Sequence, residues 1–165
     1  MAIQGAEVVG KNILAFGKGF LREVNKDMDS VRKLLDDRVE ANMSLTDHSL
    51  KDLAIMGHPY AARAPQSIHS PEYQVHQQTG RLLKAKYSGI EKAEVTGGSL
   101  TAAAFVGIHQ SEAAHAIPVI YGTWKMVPRD FLRGSLNEVW QQAVDGLRRS
   151  LRGAVVSFDG DQVRL

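Results

Sequence analysis

The sequence predicts an α+β fold, in which a small antiparallel sheet of three to four strands packs against a long N-terminal helix and a long C-terminal helix. Two stretches with apolar residues every three or four positions flank a central region in which apolar and polar residues alternate. Glycines divide that region, and short connections favour antiparallel pairing. Because the helical stripes and the sheet must bury their apolar sides together, we expect a single domain over residues 1–165.

A continuous apolar stripe predicts a long first helix within residues 1–43. Apolar residues recur from Val9 to Val39 in steps of three or four, and the other face carries basic and acidic residues in equal number. At 1.5 Å per residue the stripe is about 45 Å long, more than a small domain needs for its core. Part of it is therefore expected to contact another chain. Folding of the whole helix across its own sheet explains the stripe equally well.

A short helix and a long loop are predicted next. Thr46 suits the N-cap of the helix, and Gly57, followed closely by Pro59, suits its end. Residues 58–78 contain three of the five prolines and show no periodicity. A loop of this length is more often functional, or ordered by a partner, than a passive connection.

Three strands are predicted within residues 82–108. They are placed at residues 83–87, 93–95 and 100–108, with turns at Gly89 and at Gly97-Gly98. The last strand is apolar on both faces and is expected to be the most buried of the three.

The last long helix is predicted to begin near Pro128 and to end at Gly153. Its apolar stripe runs from Phe131 to Leu151 and is expected to lie in the core. Residues 154–165 are predicted to form a hairpin or a free C-terminal arm.

Composition and motifs argue against the common chemical functions. The chain has no cysteine, which excludes disulfides, thiol catalysis and cysteine metal sites. Its net charge of +2 is too balanced to indicate a nucleic-acid binder. It contains no nucleophile elbow and no glycine-rich phosphate loop. We therefore predict that it is not an enzyme, with no catalytic residues, no cofactor and no metal.

One metal alternative stays open, because three of the six histidines, His58, His69 and His76, share the proline-containing loop. Histidines that pack or form hydrogen bonds in a loop are the more common case.

No apolar segment is long enough for a membrane span, so we expect a protein made in the cytoplasm without an export signal.

Two separated segments carry a resemblance to a known family. The first is residues 78–83 (Gln-Thr-Gly-Arg-Leu-Leu); the second comprises residues 120–123 (Ile-Tyr-Gly-Thr) and 126–132 (Met-Val-Pro-Arg-Asp-Phe-Leu). In this order, with strands and Val106-Gly107 between them, they resemble the bacteriophage tail-component family of neck proteins. These are the tail-completion or head–tail joining proteins of long-tailed phages. The resemblance covers about residues 45–150.

Three positions depart from the common pattern of that family. Gln78 stands where many members have aspartate, Ile120 where many have an acidic residue, and Asp130 where a second proline is frequent. These differences affect the subfamily rather than any catalytic group.

The resemblance implies a structural virion protein that joins or completes the tail at the head–tail interface. It implies a sixfold ring, a homohexamer, around the DNA channel, with other neck or connector proteins and the tail-tube protein as partners. Passive contact with genomic DNA, no membrane contact, and assembly in the host cytoplasm are expected. A tail-tube terminator of the same tail, or a non-phage adaptor or DNA-binding domain, is the alternative.

The candidate interface or motif residues are those of the two segments. Gly80 and Gly122 suit positive φ angles at element junctions, and Arg129 beside Asp130 can pair within or between subunits. In a monomeric α+β domain the same positions would be ordinary junction residues. The full set is Thr79, Gly80, Arg81, Tyr121, Gly122, Thr123, Pro128, Arg129 and Phe131.

Overall fold

The computed structural model describes residues 3–45, 73–75, 77, 79–124 and 128–162, with side chains described between residues 16 and 153 of those ranges. Its elements are, in chain order, α1 (Ile3–Met43), α2 (Arg81–Lys84), β1 (Lys86–Thr96), β2 (Ser99–Ile108), α3 (Ala116–Tyr121) and α4 (Phe131–Gln162). The predicted α+β class, with a long helix at each end, is confirmed. Within the described residues no helix is both long and apolar enough to cross a membrane.

Two predicted elements fall on residues that the structure does not describe. The short helix expected from Thr46 lies outside the described residues. The same holds for most of the loop predicted at residues 58–78, of which residues 73–75 and 77 are described.

The chain divides into two compact units. The first comprises Met1–Val31, Ile90–Ala104 and Gln142–Leu165, and the second comprises Arg32–Gly89 and Phe105–Gln141. The division falls within α1, the strand pair and α4, so each of these elements contributes to both units. The single domain over residues 1–165 stays a prediction.

The second unit holds the hydrophobic core. The C-terminal part of the apolar stripe of α1 lies in this core. Val106 and Ile108 of β2 pack against the core as partly buried residues. A stripe that repeats at helical spacing places successive apolar side chains on one face, which is why α1 can bury them together. The buried core residues are Leu35, Val39, Met43, Val75, Leu82, Ala85, Ala113, Ala116, Val119, Phe131 and Val139.

The first unit has a much smaller apolar interior. Among its described side chains, only Val24, Ala93 and Ala143 are buried and hydrophobic. Polar bonds link its elements instead. The hydroxyl of Ser150 in α4 donates to Asp27 Oδ1 in α1 at 2.8 Å.

The described sheet has two antiparallel strands, not the predicted three or four. β1 continues through Gly89, where a turn was predicted, because the ring of Phe105 fills the space above that glycine. The predicted turn at Gly97-Gly98 is confirmed, with positive φ angles of 59° and 82° that suit a two-residue hairpin.

The start of the predicted first strand is helical instead. Residues Arg81–Lys84 form α2, and β1 begins at Lys86. Two contacts show how β1 and β2 are aligned with each other. The N–H of His109 donates to Ala85 O at 2.8 Å, and the side chain of Tyr87 covers Gly107.

Both ends of the last helix differ from the prediction. α4 begins at Phe131, since Asp130 caps it by accepting a hydrogen bond from the N–H of Arg133 at 3.0 Å. Pro128 therefore precedes the helix. α4 runs through Gly153 to Gln162, so the hairpin or arm predicted for residues 154–165 is wrong over residues 154–162. A glycine inside a helix costs only about 1 kcal/mol, which neighbouring turns can offset.

The apolar stripe of α4 is only partly in the core. Phe131, Val139 and Ala143 are buried, as predicted, whereas Leu136, Trp140 and Leu151 are exposed. The expectation that the whole stripe forms the subunit core is therefore wrong.

Candidate assembly surface

The two motif segments lie close together in the second unit, although about 40 residues separate them in the chain. Thr79, Gly80 and Arg81 line a cavity of about 280 Å³ whose wall also includes Val119 of α3. The N–H of Arg129 donates to the carbonyl of Val119 at 2.8 Å. The second segment is thereby fixed to the same helix that borders the cavity.

Backbone conformation explains why glycine occupies one position in each of these segments. Gly80 has a φ of 70° and precedes α2, and Gly122 has a φ of 73° and a ψ of 177° directly after α3. The conformation of Gly122 is accessible essentially to glycine alone. Both predictions of positive φ are confirmed, and any side chain at Gly122 would strain the turn.

The exposed part of the surface is aromatic. Tyr121 is 75% exposed and Trp124 is 79% exposed, on either side of Gly122 and Thr123. Thr79, Arg81, Thr123 and Pro128 are also exposed. We name the surface formed by Tyr121, Thr123 and Trp124 the aromatic surface. The sequence analysis missed Trp124, although an aromatic residue three positions after Tyr121 in an irregular segment was a usable signal.

Two of the predicted interface residues are interior. Phe131 is fully buried in the core, and Arg129 is 2% exposed. Burial leaves Arg129 no surface for a neighbouring subunit, so the intersubunit pairing considered for it does not agree with the structure. These two residues are therefore not part of the aromatic surface.

The cavity lining includes several side chains that can form hydrogen bonds with a bound group. It includes the guanidinium of Arg81, the imidazole of His115, the hydroxyl of Thr79 and the amide of Gln77, alongside apolar side chains such as Met43. These groups can donate hydrogen bonds to a carbonyl or a carboxylate of a partner. Gln77 and His115 were not among the predicted interface or motif residues.

A buried polar cluster lies beside this surface. Asn42 Nδ2 donates to Ser135 Oγ at 3.0 Å, and Gln74 Nε2 donates to Asn42 Oδ1 at 3.1 Å. The N–H of Val75 donates to the carbonyl of Asn42 at 2.8 Å. These bonds tie residues 73–75 to the end of α1 and to the start of α4.

Glu138 extends the same cluster. It accepts a hydrogen bond from the Tyr73 hydroxyl and forms an ion pair with Arg38 of α1. Asn42 Nδ2 also lies 3.4 Å from Glu138 Oε1. Polar groups that are buried and mutually bonded fix one arrangement of the chain, because losing one partner leaves the other unsatisfied.

Lys86 is the second strong electrostatic feature of this unit. Its Nζ lies 3.0 Å from Asp36 Oδ2 and 2.8 Å from Glu40 Oε2, and its side chain is 10% exposed. Burial lowers the pKa of Lys86, but hydrogen bonds to Glu40 and Asp36 outweigh it, so the pKa lies above its ordinary value of 10.5. This clamp holds the first residue of β1 against α1.

Over the described ranges, no three histidine, aspartate or glutamate residues are grouped so that they could hold a metal ion. His58 and His69, which share the predicted loop with His76, lie outside the described residues, as does His76 itself.

Comparisons of the chain with protein-family models, with curated proteins and with solved structures gave no significant match.

Proposed function

We propose that the chain is a structural virion protein of a phage neck, which joins or completes the tail at the head–tail interface as one subunit of a ring around the DNA channel. The observation that carries the proposal is the aromatic surface. Tyr121 and Thr123 belong to the segment that resembles neck proteins, and Trp124 follows them directly. Val119 of the preceding helix α3 lines the same cavity as the Thr79–Arg81 turn, which carries the other half of the resemblance.

Exposed aromatic side chains of this size favour a contact with a partner. Tyrosine and tryptophan are enriched in the central, water-excluded parts of protein interfaces, where they contribute most of the binding energy. Two such side chains exposed by 75% and 79% on one short segment gain by being covered.

The segment is also held in place before any partner arrives. Gly122 fixes the turn after α3, the Arg129–Val119 bond anchors the following residues, and Asp130 caps α4. A surface that is already ordered loses less conformational entropy on binding, so more of the contact energy appears as affinity. This rigidity suits a part that acts through geometry.

The ring is sixfold in this proposal, and its partners are other neck or connector proteins and the tail-tube protein. Cyclic symmetry is the way in which identical subunits close a collar around a channel. Exposed arginines of α4, such as Arg149 and Arg152, can contact DNA phosphates passively, since that contact needs charge and no base-reading element.

The test replaces the two aromatic residues together, Tyr121→Ala with Trp124→Ala, and compares Trp140→Ala as the matched control. Trp140 is 58% exposed on α4, away from either motif segment in sequence. We expect the double variant to unfold at the wild-type temperature but to lose the joining of filled heads to tails in an in vitro assembly assay. Trp140→Ala should join them normally.

Native mass spectrometry of the chain with and without tail tubes distinguishes a joining protein from a tail-tube terminator. A ring that forms and links heads to tubes supports a joining protein, whereas a ring that caps tubes and ignores heads indicates a tail-tube terminator. Normal joining by the double variant would contradict the proposal, as would a gene that has no portal, capsid or tail-tube genes beside it.

A further inference from the structure

The two edges of the described sheet differ in how they are protected. A sheet edge presents unpaired N–H and C=O groups, and natural proteins shield such edges with helices, charged side chains or prolines. β1 has a helix and charges along its length, as the contacts below show. β2 has neither.

α1 occupies the outer side of β1. In the first unit, the N–H of Ala93 donates to Asn25 Oδ1 of α1 at 2.8 Å instead of to a strand. In the second unit, Arg32 of α1 donates to Ser88 Oγ at 3.0 Å, and Lys86 is clamped as described above. β1 further carries charged residues towards its end, namely Glu91, Lys92 and Glu94.

β2 contains no charged residue and no proline over its ten residues, Ser-Leu-Thr-Ala-Ala-Ala-Phe-Val-Gly-Ile. None of its side chains is buried, and Leu100 and Phe105 are each 40% exposed. In the part of the chain that the structure describes, β1 is its only neighbouring strand. A long, neutral, apolar edge of this kind is a template for pairing with another strand.

The direction of the backbone groups follows from one bond. The N–H of His109, the residue directly after β2, donates to the carbonyl of Ala85, the residue directly before β1, so this N–H points towards the β1 side. N–H groups alternate in direction along a strand. Those of Ala102, Ala104 and Val106 therefore point outward, away from β1, and form the row of donors at the free edge.

We propose that a second copy of the chain pairs its own β2 with this edge, so that two hairpins form one continuous antiparallel sheet of four strands. α1 covers β1 in each copy, so β2 is the strand that each copy has to offer. Two equal edges meet about a two-fold axis and run antiparallel. A neutral edge has no charge with which to select a different partner, whereas it pairs with itself without opposing like charges.

This inference concerns the free chain and is independent of the phage neck proposal. It is tested on the full chain by sedimentation over a roughly hundredfold range of concentration, since a dimer must dissociate on dilution. Hydrogen exchange is followed in parallel. We expect the outward amides of Ala102 and Ala104 to be protected only at concentrations where the dimer forms, while the inward amide of Ala103 is protected throughout.

The variant Thr101→Lys with Ala103→Lys brings like charges together across the two-fold axis without removing any backbone donor. We expect it to raise the dimer dissociation constant about tenfold or more. The matched control adds the same charge to β1, as Val95→Lys with Thr96→Lys, and should leave the dissociation constant unchanged. Circular dichroism checks that both variants keep the wild-type secondary structure.

If the double-lysine variant fails to fold, the variant Ala102→Pro is used in its place in the same assay. This substitution removes a single outward N–H donor. A chain that stays monomeric with rapidly exchanging outward amides would overturn the proposal. So would outward amides protected at every concentration in a monomer, which would show that another segment of the chain covers β2. A dimer unaffected by the β2 charges would place the contact elsewhere.

Discussion

Gly134 in α4 provides the sharpest test of the packing around the polar cluster. A Cβ atom added to Gly134 would lie 2.5 Å from Tyr73 Cγ and 2.7 Å from Tyr73 Cε2. Cγ lies on the axis about which the ring turns (χ2), so turning the ring leaves Cγ in place and cannot relieve the contact. Relief requires a change of χ1 or a shift of the backbone. The Tyr73 hydroxyl is also held by Glu138. Gly134→Ala must therefore displace residues 73–75 or break that hydrogen bond.

The magnitude follows from opposing contributions. Helix propensity alone favours alanine by about 1 kcal/mol, whereas overpacking costs about 1–3 kcal/mol. Loss of a hydrogen bond to a charged group adds about 1.5–3 kcal/mol where it occurs. We expect Gly134→Ala to lower the free energy of unfolding by about 1–3 kcal/mol.

Gly146 in the same helix is the matched control, because a Cβ added there meets no atom within 4 Å. Gly146→Ala should raise the free energy of unfolding by about 0.5–1 kcal/mol. Both are measured by urea denaturation followed by circular dichroism. In a Tyr73→Ala background, Gly134→Ala should become stabilising. The reasoning fails if Gly134→Ala stabilises the chain with Tyr73 present.

Two further changes test the helix cap and the buried lysine. Asp130→Ala removes the bond to the Arg133 N–H and should cost about 1 kcal/mol in the same denaturation assay, while Asp130→Asn, which keeps an acceptor, should cost much less. Because the pKa of Lys86 is raised in the folded chain, its stabilisation is complete below pH 10.5 and is lost as pH rises through the folded pKa. Lys86→Met should abolish that alkaline loss; an identical alkaline profile for the two proteins would contradict it.

The long elements could be predicted from the sequence because their signals are local. The stripe of α1 repeats within the helix itself, and α1 is observed as predicted. Gly80 and Gly122 likewise stand beside the residues whose junctions they form. The start of the last helix, predicted near Pro128, lies three residues further along the chain, at Phe131.

The hairpin and the site were harder to predict from the sequence, because they depend on contacts between residues that are far apart in the chain. Gly89 looks like a turn in sequence, and only the ring of Phe105 on the other strand makes it a strand residue. The polar cluster joins Asn42, Gln74 and Ser135, which no periodicity connects. Arg129 is buried, but nothing local in the sequence indicates this, so the sequence left open whether Arg129 pairs within or between subunits.

Buried apolar residues are distributed unevenly between the two units, and this determines where substitutions can accumulate during evolution. Most substitutions of exposed residues change stability by less than about 0.5 kcal/mol, while core substitutions cost several times more. Among the described side chains, the first unit buries three apolar residues, and the whole core cluster belongs to the second unit. Selection for folding therefore acts mainly on the second unit. Distant descendants of this chain should stay recognisable between Arg32 and Gly89 and from Phe105 to Gln141, while the helix ends and the hairpin tip diverge in sequence and length.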